Sequence, residues 1–247
     1  MHRSFLATLA ACSRPILSRS FRSGLALMLA LSVRAATVTV DTTTDVLDGT
    51  TTSIAALIAA KGADGKISLR EAIIAANNTA GADTVTFSAA INGTPITLTR
   101  IGNDGTCVNG DLDINGSLTM TGNGTNNTII QGASDYNSVT KVYTGSIGDK
   151  IIGINQDGIY TNLTVNISNL TIRWGQNTNA YGSPDFSWTG GGVDVFMSGI
   201  GNSITFTDCR ITDNSNMNGR GGGVNVDSAS SGLSGDVTNR SGISRGT

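Results

Sequence analysis

Apolar positions along the chain follow two periods. From Leu69 they return at Ala72, Ile73 and Ala76, the i, i+3, i+4, i+7 stripe of a short amphipathic helix. Ser68 and Glu71 stand three apart ahead of that stripe, the spacing of a capping box in which each side chain satisfies a backbone N–H of the other. Asn77, Asn78 and Gly81 end the helix, and a strand begins at Thr84 and runs to Phe87. Elsewhere the apolar residues come as brief β-branched runs: TVTV (37–40), PITLTR (95–100), SLTM (117–120), TII (128–130), LTVNI (163–167) and SITF (203–206). Gly, Asn and Asp turns separate them, which predicts an all-β fold. A further apolar segment, SIAALIAAK (53–61), fits a first helix capped by Ser53 or a buried edge strand, with helix the preferred reading. A lone helix of the length that begins at Leu69 is not stable in water, so its stripe of Leu69, Ala72, Ile73 and Ala76 must be covered. It is read as a lid on the open end of a stack of β-coils.

Internal repetition supports the stack. VNISNLTIRWG (165–175) aligns with ITFTDCRITDN (204–214), and GGGVDV (190–195) aligns with GGGVNV (221–226). Strands this short cannot each own a core, but stacked parallel coils bury one continuous apolar column. Parallel crossovers are overwhelmingly right-handed. The predicted fold is therefore a right-handed parallel β-helix, a solenoid, with a short N-terminal α-helical cap. Its expected organisation is a signal peptide over 1–35, the cap over 36–94 and coils over 95–247, the last of them apparently cut short. The Gly triplets are expected at corners needing positive φ. Asn169 and its repeat equivalent Asp208 are expected at matched corners, bonding along the stack or to turn amides.

The stretch SLREAIIAANNTAGADTVTF (68–87) resembles the signature of the CSLREA-domain family, N-terminal modules of exported bacterial right-handed parallel β-helix repeat proteins. GDLDINGSLTMTG (110–122), TIIQG (128–132) and ISNLTIRWG (167–175) are similar to the coils that follow in that family. The resemblance implies fold and export but no reaction, and it marks Ser68, Leu69, Arg70, Glu71 and Ile73 as structural residues. The family's leading Cys is Ile67 here, so no thiol chemistry can depend on that position.

Charge and composition narrow the function. Residues 1–35 hold five Arg and no acid, around the apolar core GLALMLALSV (24–33) and the small-residue pattern Val33-Arg34-Ala35. This is the pattern of a secretory signal cleaved after Ala35, and ten apolar residues are too few to span a bilayer. A rival lipobox, Leu9-Ala10-Ala11-Cys12, has only a short apolar run before it. Of 16 basic and 18 acidic residues in the chain, the five leader Arg are lost on cleavage, leaving a net charge of about −7. That acidic balance speaks against nucleic acid and anionic membranes, and no integral span is expected in the mature chain. The single His is His2, within the leader, so the remainder has no His base or His metal ligand. Cys107 and Cys209 are expected several coils apart, too far to bridge, and to act as small hydrophobes.

Candidate chemistry concentrates in one insertion. The repeat spacings, 39 and 31 residues, place extra length in WGQNTNAYGSPDFSWTG (174–190). Trp174, Tyr181, Asp185, Phe186 and Trp188 make that loop a candidate glycan platform, since aromatic faces beside amides and carboxylates suit sugar rings. The competing reading is that the rings only pin the loop. Asp111 with Asp113, Asp208 with Asp213, and Asp194 opposite Asn225 could hold Ca²⁺ or act as acid pairs, but neither an EF-hand-like nor a nonapeptide pattern is present. They are read as solvated turn residues, with no cofactor and no catalytic residue assigned. The expected function is a non-catalytic extracellular or cell-surface module for adhesion, display or glycan binding. The alternative is a pectate lyase-like or glycoside hydrolase-like enzyme, for which Arg210 with Asp208 and Asp213 is the nearest match.

Overall fold

The structure, a computed structural model, describes residues 34–102, 104–178, 190–197, 201–217, 222–227 and 236–239. Three parallel sheets carry most of the strands. The first holds, in spatial order, Thr37–Val40, Asp83–Phe87, Leu118–Thr121, Thr164–Ser168, Ser203–Thr207 and Asp236–Asn239. The second holds Ile96–Thr97, Ile129–Gln131, Thr171–Arg173 and Arg210–Thr212, and the third Leu112–Ile114, Ile152–Ile154, Val193–Phe196 and Val224–Asp227. From Asp83–Phe87 onward the chain visits the first, second and third sheets in turn and then repeats the cycle. Two minor sheets decorate this frame: a parallel pair, Gln176–Asn177 with Ser215–Asn216, and an antiparallel hairpin, Asp135–Asn137 with Val142–Thr144.

Register explains the core. In the second sheet Ile96, Ile130, Ile172 and Ile211 lie directly opposite one another, and all four are buried. In the first sheet Val38, Val85, Met120, Ile167 and Phe206 form the corresponding column, flanked by Leu118, Val165 and Ile204. Each strand thus contributes one or two apolar side chains, and burial of each is worth about 1.5–3 kcal/mol only because its neighbours complete the column. The opposite face of the first sheet is polar and hydroxyl-rich, with Thr39, Thr86, Thr121, Ser168 and Thr207 in register. The alternation of strand residues between faces keeps the two sets apart.

The repeats pair as their sequences align: Val165 with Ile204, Ile172 with Ile211, and Val193 with Val224. Asn169 and Asp208 share a left-handed backbone, φ 57° and 51°, as do Trp174 and Asp213, φ 62° and 52°. The matched corners are therefore backbone features. Gly191 and Gly192 serve a different need from the one expected of the first triplet. Gly191 and Gly192 do not have positive φ; a Cβ on Gly191 would strike the carbonyl oxygen of Ser215, and one on Gly192 would lie 2.6 Å from that of Gly223. Close backbone approach requires them.

Helices α1 (Ile54–Ala59) and α2 (Leu69–Asn77) precede the part of the chain that cycles through the three sheets. Ser53 caps α1 by accepting from Ala56 N. In α2 the capping box forms: Ser68 Oγ accepts from Glu71 N and Glu71 Oε2 accepts from Ser68 N. Thr79 links the two helices, its hydroxyl accepting from Ile54 N and donating to the carbonyl of Ala75. The single apolar stripe expected for α2 is only part of its burial. Every residue from Leu69 to Ala76 is buried, Arg70 and Glu71 included, because the segment 45–49 covers the second face through hydrogen bonds to these charged side chains. Ile67, in the position of the family's Cys, is buried against the core. Among the described residues no helix is long and apolar enough to cross a membrane.

Glu71 accepts from Asp48 N and Gly49 N as well as Ser68 N. Its loss strands three backbone donors, so Glu71→Ala should cost about 2–4 kcal/mol, above the about 1 kcal/mol of a simple cap. Ile73→Ala should cost about 2–5 kcal/mol through its cavity. Urea melts of both variants test this; a loss under about 1 kcal/mol in Glu71→Ala would mean that segment 45–49 does not hold to α2.

Candidate functional site

Two groupings of chemically capable side chains stand out, and the first grows from α2. Arg70 is almost fully buried and places all its donors: Nε on Asp45 Oδ1 at 2.7 Å, Nη2 on Asp45 Oδ2 and the Gly110 carbonyl, and Nη1 on the carbonyls of Cys107 and Asp111. Burial works against the guanidinium, but hydrogen bonding and attraction from Asp45 outweigh it and hold its pKa above the ordinary value. At the far end of α2, Asn77 donates to the Asp113 carbonyl and accepts from Asn115 N. The helix is thereby fastened along residues 107–115. The loop before that segment is organised by Asp104, whose carboxylate accepts from the amides of Thr106, Val108 and Asn109 and from the Thr106 hydroxyl. Burial raises the Asp104 pKa, and these hydrogen bonds outweigh it to bring the value below the ordinary one.

Residues so fixed deliver an acidic cluster to the third sheet, on the side opposite its apolar column. Asp113, Gly153, Asp194 and Asn225 form one row across four strands. Asp111, Asp149 and Lys150 adjoin it. Lys150 Nζ lies 3.2 Å from Asp111 Oδ2 and 3.5 Å from Asp149 Oδ1. Asp113 Oδ2 accepts from Cys107 N, and Asp194 accepts from Asn225 Nδ2 at 2.7 Å and Gln156 Nε2 at 3.0 Å. Gly153 leaves the gap in the row; a Cβ there would lie 2.6 Å from Asp111 Oδ2 and 3.1 Å from Asp113 Oδ1. Four carboxylates thus face a single ammonium.

These groups are sealed. Asp111 is 0 % exposed, Asp113 1 %, Lys150 3 % and Asp194 4 %. The reading of Asp111, Asp113 and Asp194 as solvated turn residues is therefore corrected: they are enclosed at the third sheet, hydrogen-bonded or paired with Cys107 N, Gln156, Asn225 and Lys150. Burial pushes the Asp111 carboxyl well above its usual range against the pull of Lys150, and raises Asp194 as well. It pushes Asp113 up to about 7. Lys150 is shifted upward, because attraction from Asp111, Asp149, Asp194 and Asp113 exceeds its desolvation. Desolvation thus works against the charged form of Asp111, Asp113 and Asp194. Among the described residues no group of three or more His, Cys, Asp or Glu is placed to hold a metal ion. The Cys107 thiol, raised by burial, and Cys209 are both buried and free.

The second grouping surrounds Trp174. Its amide donates to the Asp213 carbonyl, and its half-buried ring carries the Arg173 guanidinium 3.9 Å above its centroid. Gln131 Oε1 holds that guanidinium through Nε and Nη2, at 3.0 and 2.8 Å, and Gln131 is itself anchored on Thr97. Tyr136 lies 6.3 Å from the Trp174 ring and 4.6 Å from Tyr143, whose hydroxyl donates to the Asp213 carbonyl. Burial raises Tyr143 and lowers Arg173. Tyr136 and Tyr143 were not singled out in the sequence; the signal was the alternation DYN and VYT around the hairpin turn, which puts one ring from each strand on one face. Tyr181, Asp185, Phe186 and Trp188 lie outside the described residues. Arg210, Asp208 and Asp213 are exposed, and among the described residues no ion pair joins them. Comparison with family models, curated proteins and solved structures gives no match.

The acidic cluster sets a pH dependence. With the Asp113 carboxyl near 7 when folded and 3.8 as its ordinary value, the folded protein keeps a proton that the unfolded chain has released. Stability should therefore fall as pH rises from about 4 to about 7. Asp113→Asn should flatten that slope, with Asp111 and Asp194 supplying the remainder in the same direction. Thermal melts across this range check it; an unchanged slope in the variant would exclude a protonated Asp113.

Proposed function

We propose that this chain is a non-catalytic module of an exported protein, built as a right-handed parallel β-helix whose N-terminal end is closed by α1 and α2. The recurring visit to three parallel sheets supports the solenoid, and burial of α2 against residues 107–115 supports the lid. The leader-like residues 1–35 support export to the cell surface or medium. The resemblance of residues 68–87 to CSLREA-domain proteins points the same way.

One observation carries the non-catalytic reading: the acidic cluster of the third sheet is walled off, whereas the aromatic groups around Trp174 are half-exposed. A polysaccharide cannot reach a carboxylate buried to within a few per cent, but a sugar can lie against an outward ring. The module therefore serves adhesion, display or glycan binding, with Trp174, Tyr136 and Tyr143 as its platform. Arg173 fixes the Trp174 ring and leaves less of its face to stack on than a free tryptophan would offer. The enzyme reading draws on the Asp113 carboxyl near 7, in the range of a general acid–base group.

A polysaccharide array probed with wild type and Trp174→Ala tests the platform. Wild type should bind at least one glycan and change its tryptophan fluorescence, since the chain has only two Trp. The variant should lose about 1 kcal/mol, about fivefold in Kd, with its melting temperature nearly unchanged. Purified protein should release no sugar from pectin with or without Ca²⁺. A turnover abolished by Asp113→Asn or Arg210→Ala would replace the binding module with an enzyme.

A further inference from the structure

Asp83 begins a strand of the first sheet and is 1 % exposed. Its Oδ1 accepts a hydrogen bond of 2.8 Å from the backbone nitrogen of Ala36, while its buried Oδ2 meets no hydrogen-bond donor. Burial raises its pKa against the pull of that amide, and among the described residues no charged side chain contributes to the shift. A desolvated carboxylate with half its acceptors empty is costly and calls for a cation or further donors. The nitrogen beside it belongs to the residue that follows the Val33-Arg34-Ala35 pattern. Arg34 and Ala35 are exposed, so the bond between Ala35 and Ala36 is open to a peptidase, whereas from Ala36 onward the backbone enters the sheet through its carbonyl, which accepts from Thr84 N at 2.8 Å.

We propose that Asp83 is the receiving site for the α-ammonium group created when the chain is cut between Ala35 and Ala36. This rests on the export reading above. Hydrolysis of that peptide bond consumes one water, leaves a carboxylate on Ala35 and converts the Ala36 amide to an amine, which takes up a proton from solvent to become –NH₃⁺. The single N–H that now reaches Oδ1 is replaced by three, so one can stay on Oδ1 while another serves Oδ2. The neutral contact becomes a charge-assisted, largely desolvated pair. Among the described residues the same carboxylate has no counter-charge, so processing completes the edge of the first sheet and couples maturation to stability.

The test is a double-mutant cycle on protein released from a fusion so that it begins at Ala36. Its free amine is compared with the N-acetylated protein and with the full-length chain, each with Asp83 and with Asp83→Asn. The free amine should melt about 2–4 °C above the acetylated and the uncut forms, and that gap should close in Asp83→Asn. Equal melting of the free and acetylated forms with Asp83 in place overturns the proposal, and so does a gap that persists in Asp83→Asn. Should Asp83→Asn not fold, the first comparison decides alone. Because the released protein is made without export, failure of the pair is separate from failure of the leader reading, which N-terminal sequencing of secreted protein tests by finding Ala36 or another residue first.

Discussion

Arg70 holds the first third of the molecule together. One guanidinium reaches Asp45 before α1, the carbonyls of Cys107 and Gly110 in the loop ahead of the third sheet, and the carbonyl of Asp111 at its first strand. Asp45 extends that reach by accepting from Thr99 N and Arg100 N. Three stretches of irregular backbone, which could not form a ladder with one another, are satisfied by one planar group of fixed geometry. The arrangement is demanding: with Arg70 gone, Asp45 would be left charged and enclosed, a loss that usually costs about 3–5 kcal/mol. The helix is thus fastened by its charged residues as firmly as by its apolar ones.

That fastening has an electrostatic consequence downstream. By fixing residues 107–111 it fixes Asp111 and the Cys107 amide that serves Asp113, and so keeps the acidic row of the third sheet away from water. Enclosure raises the carboxyls of Asp111, Asp113 and Asp194, which lie around one lysine. The chemistry of the cluster is therefore a product of packing. Groups that would be ordinary surface acids on an open strand become enclosed structural parts.

Local signals were legible in the sequence and distant ones were not. The Ser68–Glu71 box, the Ser53 cap and the pairing of the repeats depend on spacings within one element or on direct alignment, and the structure has each of them. Arg70 belonged to a recognisable motif, yet its partners lie 25 to 41 residues away and leave no mark in local periodicity. Asp111 and Asp113 misled because Gly-Asp-Leu-Asp reads as a turn entering a strand; nothing nearby says that Cys107 N closes on Asp113 or that Lys150 reaches Asp111. Gly191 and Gly192 misled for a related reason: glycine answers both to positive φ and to backbone crowding, and only the neighbour's position distinguishes them.

The unequal spacing of the rounds has an implication for how such a chain changes over generations. Ile172 and Ile211 are 39 residues apart, Val193 and Val224 only 31, and yet both pairs sit in perfect register. Length gained or lost between sheets is absorbed outside the ladder, so that neither neighbour of the altered round has to move. Recombination can therefore lengthen a connection between two sheets while the strands on either side keep their register. Selection is freed to treat the connecting loops as replaceable parts, and the columns of isoleucine and valine as the standard fitting to which they attach.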